Sequence, residues 1–91
     1  ISKSLFMKGY FDVQRELRET LSKYSKQMIK SKVYIEVAFW KCSAIVLSYN
    51  VCRIINDTVA TCLNNWLSAQ QERYIRDFER LNRRCEENGI S

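Results

Sequence analysis

Apolar residues recur every three or four positions along the first third of the chain. This spacing brings an apolar side chain back to the same side of an α-helix at each turn, whereas a strand repeats every two residues. The members of this first row are Phe6, Tyr10, Val13, Leu17, Leu21, Tyr24 and Met28. Most residues between them are charged or polar, so the pattern predicts an amphipathic helix with one buried side.

The segment from Val33 to Ile55 differs because it carries two apolar rows. One row consists of Val33, Val37, Trp40, Ala44, Leu47, Val51 and Ile55. The other row, roughly on the opposite side of the same helix, consists of Ile35, Phe39, Cys42, Val46 and Tyr49. A helix that is apolar on two sides has to be covered on both, so we expect this helix to be central in a bundle. The alternative is that one side contacts a partner chain.

A further row marks the last helix, and polar residues mark where helices end. The row consists of Val59, Leu63, Trp66, Tyr74, Phe78, Leu81 and Cys85. Residues 30–32, with Ser31 as a cap, and residues 56–58 favour helix ends and turns. Residues 64–68 offer a second break within the last row. Gly89 suits the left-handed residue that closes a final helix.

Helix breakers are almost absent, since the chain has no proline and only two glycines, Gly9 and Gly89. Proline and glycine cost roughly 3 and 1 kcal/mol in a helix interior. We therefore predict an all-α fold: a small antiparallel bundle of three to four helices, forming one domain over residues 1–91, with the helix from Val33 to Ile55 central. So small a domain is marginally stable unless something reinforces it.

The four cysteines are the candidate reinforcement, because a high, even count in a short chain is typical of disulfides in an oxidising compartment. Cys42, Cys52 and Cys62 are each ten residues apart, which is about 15 Å along a helix and too far for pairing within it. A chain reversal between Cys52 and Cys62 would bring these two level. A second reversal, at residues 64–68, would bring Cys42 level with Cys85. The alternative is four buried free thiols.

The sequence lacks the residues of common catalytic and metal sites. It has no histidine, which excludes Ser-His-Asp and Cys-His catalysis and histidine-containing metal sites. It has neither a Cys-x-x-Cys motif nor a glycine-rich phosphate loop. Its longest mostly apolar uncharged run, residues 42–52, falls short of the about 20 residues that span a bilayer. We therefore predict a non-enzymatic protein without a cofactor, a metal site or a transmembrane segment.

Basic residues outnumber acidic ones, 15 to 10, and they form two clusters. One lies at the end of the first helix and consists of Lys23, Lys26, Lys30 and Lys32. The other runs along the last helix and consists of Arg73, Arg76, Arg80, Arg83 and Arg84. In an up-down-up bundle both lie at the same end, so these nine residues are a candidate basic binding surface. The alternative is an ordinary solvated face, in which Glu72, Asp77 and Glu79 pair with the arginines.

Three functional hypotheses fit these features. The favoured one is a secreted, disulfide-stabilised helical bundle that recognises another extracellular macromolecule, as a ligand, an inhibitor or a recognition protein. The second is an intracellular helical assembly module with reduced cysteines, in which a partner chain covers part of the central helix. The third is a binder of nucleic acid or another anionic surface through the basic residues. The redox state of the cysteines separates the first two.

Overall fold

Four helices make up most of the described chain, and they form the predicted small all-α bundle. The computed structural model describes residues 3–87 and 89, with side chains from residue 8 onward. The helices are α1 (Lys3–Lys23), α2 (Ser25–Lys30), α3 (Lys32–Val51) and α4 (Asp57–Glu87). No strand occurs among these residues. The long helices α1, α3 and α4 run up, down and up, and the short α2 connects the first two.

Two of the helix starts are capped by the residues that the sequence singled out. Ser31 separates α2 from α3, and its hydroxyl oxygen accepts a hydrogen bond from the Val33 amide at 3.2 Å. Asn56 precedes α4, and its side-chain oxygen accepts from the Val59 amide at 2.9 Å. Both caps satisfy an amide that has no partner within its helix. The predicted break at residues 30–32 is therefore confirmed, whereas the break predicted at residues 56–58 lies earlier, at residues 52–56, because α3 ends at Val51 instead of Ile55.

The turn between α3 and α4 is closed by a Schellman motif. The Ile54 amide donates to the Tyr49 carbonyl at 2.9 Å, and the Arg53 amide donates to the Asn50 carbonyl at 3.1 Å. The Asn50 side chain also crosses the turn and donates to the Ile55 carbonyl at 3.2 Å. Arg53 has φ 63°, a left-handed conformation that glycine adopts without steric cost. The chain thus reverses tightly without a glycine.

The predicted second break at residues 64–68 is wrong, because α4 continues through them. Leu63 and Leu67 are both buried, so apolar burial on this part of α4 outweighs the local preference of asparagine for turns. The additional helix arises earlier in the chain instead. The first helix is interrupted at Tyr24, where the Tyr24 amide donates to the Leu21 carbonyl at 3.1 Å, three residues back, and tightens the turn.

The core lies between the three long helices. Its buried apolar residues are Val13, Leu17, Leu21, Met28, Ile35, Ala38, Phe39, Cys42, Val46, Ile55, Val59, Ala60, Leu63 and Leu67. Tyr10 and Tyr24 pack against it half-buried, so the first row is confirmed from residue 10 to residue 28; the side chain of Phe6 lies outside the described part. Gly89, beyond α4, has the predicted left-handed backbone with φ 70°.

α3 contacts every other helix, as the other three helices also do, and only one of its two apolar rows is buried. The row that begins at Ile35 forms the core side of α3. The row that begins at Val33 faces solvent along its length, so the expectation that both sides are covered does not hold within this chain. Ile55, placed in that row by the sequence analysis, lies after the end of α3 and is buried in the turn.

All four cysteines are unpaired, so the structure contains neither predicted disulfide. The continuity of α4 explains the absence of a Cys42–Cys85 bridge. Phe39 on α3 faces Tyr74 on α4, with 5.6 Å between ring centroids, and Cys42 lies three residues closer to the turn. Cys85 is therefore displaced by about 20 Å along α4 from the point opposite Cys42, which is well beyond the reach of a disulfide.

Replacing Arg53 with glycine should stabilise the protein by about 0.5–1 kcal/mol, because the side chain of Arg53 pays a steric cost in the left-handed conformation that glycine avoids. Chemical denaturation of both proteins measures the change. Ala69→Gly is the control, since Ala69 is an exposed residue within α4 and its replacement should cost about 1 kcal/mol. A loss of stability in both variants would contradict the prediction.

Candidate functional site

A row of exposed apolar side chains runs along α3 and into the following turn. We name it the α3 stripe, and its members are Val33, Val37, Trp40, Ala44, Leu47, Val51 and Ile54. Trp40, near its centre, is 74% exposed. Seven such side chains form a patch on the order of 600 Å², at the upper end of what soluble monomers expose. A contiguous patch of this size is typical of an interaction surface.

The spacing within the α3 stripe alternates strictly between four and three residues. This is the heptad pattern of helices that pack along their length, with apolar residues at positions a and d. Within α3 the d positions are Val33, Trp40 and Leu47, and the a positions are Val37, Ala44 and Val51; Ile54 follows in the turn. A second helix laid on the stripe would contact α3 over about 30 Å. The row predicted from the sequence ended at Ile55, which is buried, and its exposed neighbour in the turn is Ile54.

A groove of about 490 Å³ runs beside the α3 stripe, between α3 and α4. Trp40 and Leu47 of the stripe form part of its α3 wall. Glu36 is the one charged residue among the described residues that line it. The α4 wall combines Ala60 and Leu67 with the polar residues Asn64, Ser68 and Gln71. The groove thus offers an incoming helix apolar contact on one side and hydrogen-bonding groups on the other.

Lys41 borders the α3 stripe on the side away from this groove. Its ammonium group donates to the Tyr24 hydroxyl at 2.5 Å and lies 5.1 Å from the centre of that ring. On the core side of α3, the Tyr49 hydroxyl donates to the Glu16 carboxylate. That hydrogen bond, with smaller contributions from desolvation and the charge of Glu16, raises the pKa of Tyr49. These contacts fix α1 against α3 and leave the stripe uncovered.

All nine residues of the candidate basic surface are exposed. Because α4 is continuous, its five arginines fall within an arc of about 100° on one side of the helix. α2, which carries two of the lysines, packs against the same part of α4, since Ile29 and Phe78 line a common groove. Lys32 reaches across to α4, where its ammonium group lies 2.8 Å from the Glu79 carboxylate. The lysines of α2 and Lys32 therefore lie beside the arginine-bearing half of α4, and Lys23 ends α1 close by.

Some of this positive charge is neutralised locally. Arg80 pairs with Asp77 at 3.2 Å, as the solvated-face alternative expected. Glu79 pairs with Lys32 instead of an arginine, and the hydrogen bond from Lys32, followed by its charge, lowers the pKa of Glu79. Both pairs are substantially exposed, so each adds little to stability. Arg73, Arg76, Arg83 and Arg84 form no salt bridge with any residue that the structure describes.

The four thiols differ in accessibility, and together they do not form a site. Cys42 is buried with its sulfur 3.9 Å from the Leu17 carbonyl oxygen, whereas Cys52 is exposed at the end of α3. Cys62 and Cys85 are partly exposed on α4. Across the described residues, no group of three or more Cys, Asp or Glu side chains is arranged to hold a metal ion.

Comparison with known proteins finds no family model, no curated protein and no solved structure that matches this chain. Within the part that the structure describes, every helix is too short or too polar to cross a bilayer. The candidate functional surfaces of this protein are therefore the α3 stripe and the basic surface.

Alkylation should separate the thiols by their burial. Burial raises the pKa of Cys42 from 9.0 to about 11, so at neutral pH this group is both shielded and protonated, and the thiolate is the reactive form. We expect iodoacetamide to modify Cys52 in the folded protein and Cys42 only after unfolding, as followed by peptide mass mapping. Equal rates for the two cysteines would contradict the burial of Cys42.

The same shift predicts a dependence of stability on pH. The pKa of Cys42 is higher in the folded chain than in the unfolded chain. The contribution of this thiol to the free energy of unfolding is therefore complete below pH 9.0 and is lost as the pH rises through about 11. The free energy of unfolding of Cys42→Ala should therefore fall less over this interval than that of the parent protein.

Proposed function

We propose that this protein is a non-enzymatic helical binding module whose α3 stripe packs against a helix of another chain. The observation that supports this is the exposure of six apolar residues in heptad spacing, on a helix whose opposite side already forms the core. A surface helix of an isolated monomer normally presents polar residues to water. Apolar residues in the register of a helix seam are suited to a second helix.

The energy available from this surface is sufficient for a specific complex. Burial of a patch of about 600 Å² contributes about 15 kcal/mol at ~25 cal/mol per Å². The loss of translational and rotational freedom and the ordering of side chains offset roughly 4–15 kcal/mol of this. At a cost near the middle of that range, about 5 kcal/mol remain, which corresponds to a dissociation constant of about 0.1 mM.

Binding through surface complementarity is common to the secreted recognition protein and the intracellular assembly module. The unpaired cysteines support the assembly module, because the four helices of this chain enclose an apolar core without any disulfide. Reduced thiols suit an intracellular protein, so this compartment is proposed together with the module. The secreted, disulfide-stabilised binder requires a Cys52–Cys62 bridge at least, and mass measurement of the untreated protein would detect it.

A designed amphipathic peptide with leucine at its a and d positions should bind along the α3 stripe. Leu47→Glu should weaken this binding by at least about tenfold, because the glutamate would lose its water in an apolar seam. Fluorescence anisotropy of the labelled peptide measures both affinities. Ile29→Glu is the matched control, since Ile29 is 60% exposed and Leu47 is 61% exposed, but Ile29 lies on α2. An equal loss of affinity in both variants, or no binding of the peptide to the parent chain, would rule out the α3 stripe as the binding surface.

The basic surface supports a second candidate function, the binding of a polyanion such as nucleic acid. Five arginines share one side of α4, and lysines of the neighbouring segment lie beside them. Four of the arginines are outside the salt bridges of the described chain. Such a row can follow a phosphate backbone, and release of counterions would make the binding depend steeply on salt.

Two arginines in matched settings test this second function. Arg80 and Arg15 each pair with an aspartate three residues earlier, and their side chains are 74% and 72% exposed. Arg80→Gln should lower the salt dependence of binding to a duplex DNA probe by about one unit of the log–log slope. Arg15 lies on α1, so Arg15→Gln should leave the slope unchanged. If binding does not weaken with added salt, or if both variants act alike, the basic surface is not the binding site.

A further inference from the structure

We infer that the helix bound by the α3 stripe is α3 of a second copy of this chain, so that two copies form a two-fold dimer with their α3 helices parallel. This inference rests on the proposed function and names the partner. Three observations carry it: the self-complementary spacing of the stripe, the placement of the two charges that flank it, and the area that two stripes bury.

The α3 stripe can pair with itself in register. In a parallel two-fold pair, each a or d residue lies beside the same residue of the other copy. The two Trp40 side chains then meet near the middle of the seam. Ala44 follows one turn later on the same side of α3, and its small side chain leaves space for the pair of indole rings. The spacing of four and three continues unbroken from Val33 to Val51, the last residue of α3, so no polar residue interrupts the seam.

The charges beside the stripe favour the parallel orientation. Glu36 occupies a g position on the groove side, and Lys41 occupies the following e position on the other side. In a parallel pair the g residue faces the e residue five positions later in the second copy, so Glu36 faces Lys41 twice by symmetry. In an antiparallel pair e rows face e rows and g rows face g rows, and the opposite charges do not meet. Lys41 uses one of its three donors on Tyr24 and keeps two for this contact.

The groove beside the stripe suits the flank of the second copy. That flank is the e row of α3, which consists of Tyr34, Lys41 and Ser48, all exposed in the single chain. The groove presents Glu36 and the polar side chains of α4, including Asn64 and Gln71. Each donor of the e row therefore approaches a wall with acceptors, while the apolar residues meet at the centre. This arrangement of an apolar centre and a polar rim is typical of specific interfaces.

The area that two copies bury agrees with a stable dimer. Two stripes on the order of 600 Å² each remove about 1,200 Å² from water before the flanking residues and the groove are counted. Stable interfaces bury about 1,200–2,000 Å² in total. The dimer therefore requires no additional surface beyond α3 and the groove wall.

Sedimentation equilibrium over a series of protein concentrations tests the dimer directly. We expect the full chain to dimerise reversibly, and Trp40→Glu to raise the dissociation constant by at least about tenfold. Phe11→Glu is the control, because Phe11 is also a largely exposed aromatic residue, 53% exposed, but lies on α1. Association should strengthen with added salt, since each chain carries a net charge of +5 and salt screens the repulsion. Circular dichroism verifies that each variant remains helical.

Oxidative cross-linking tests the orientation. The probe is Val51→Cys in a chain whose own cysteines are replaced, by Cys42→Ala, Cys52→Ser, Cys62→Ser and Cys85→Ser. Position 51 is an a position near one end of the stripe, so the two introduced thiols lie side by side in a parallel pair and form a disulfide. In an antiparallel pair they lie at least about 15 Å apart and remain reduced.

The outcomes separate this inference from the proposed function. A chain that remains monomeric at every concentration but still binds the designed peptide overturns the second copy as partner and leaves the α3 stripe as a binding surface. If the chain dimerises but Trp40→Glu does not weaken the dimer, the second copy is overturned as the partner of the α3 stripe, and the stripe itself is overturned only if the designed peptide also fails to bind. If Trp40→Glu weakens the dimer but the Val51→Cys chain does not cross-link, the parallel arrangement is overturned.

Discussion

Three long helices that all touch one another can each bury only one side. Each helix meets its two neighbours on adjacent parts of its circumference, and the opposite part faces water. On α3 the buried part carries Ile35, Cys42 and Val46. The short α2 has six residues and packs against the far half of α4, so it cannot act as a fourth long helix over the other side. The exposed stripe and the open groove beside it both follow from this geometry.

The continuity of α4 has a comparable influence on the rest of the molecule. Its 31 residues extend past the start of α3, where Lys32 meets Glu79. A break at residues 64–68 would precede all five arginines and leave them on one helix, but it would redirect that helix relative to α1 and α3. The same continuity carries Cys85 far from Cys42. One local outcome, the burial of Leu63 and Leu67, therefore influences both the direction of the arginine-bearing half of α4 and the absence of a Cys42–Cys85 disulfide.

The sequence predicted the fold well where a single apolar row alternates with polar residues. It located the core sides of α1 and α4 and the two capped boundaries at Ser31 and Asn56, because period and capping are local properties. It did not show which row of α3 would be buried, since both rows are similarly apolar and the choice depends on how three helices meet. The interruption at Tyr24 was also missed, because the chain has no proline, glycine or capping side chain at that position to signal it.

In the inferred dimer the two candidate surfaces would be coupled. α3 helices that run in the same direction would place the arginine-bearing ends of both copies at the same end of the assembly. A polyanion long enough to reach both of these ends would contact both copies at once, so its binding would gain from effective concentration. In return, the polyanion would offset the repulsion between two chains of net charge +5 and strengthen their association. Because coupling of binding free energies is reciprocal, dimerisation through α3 and anion binding at α4 would each promote the other.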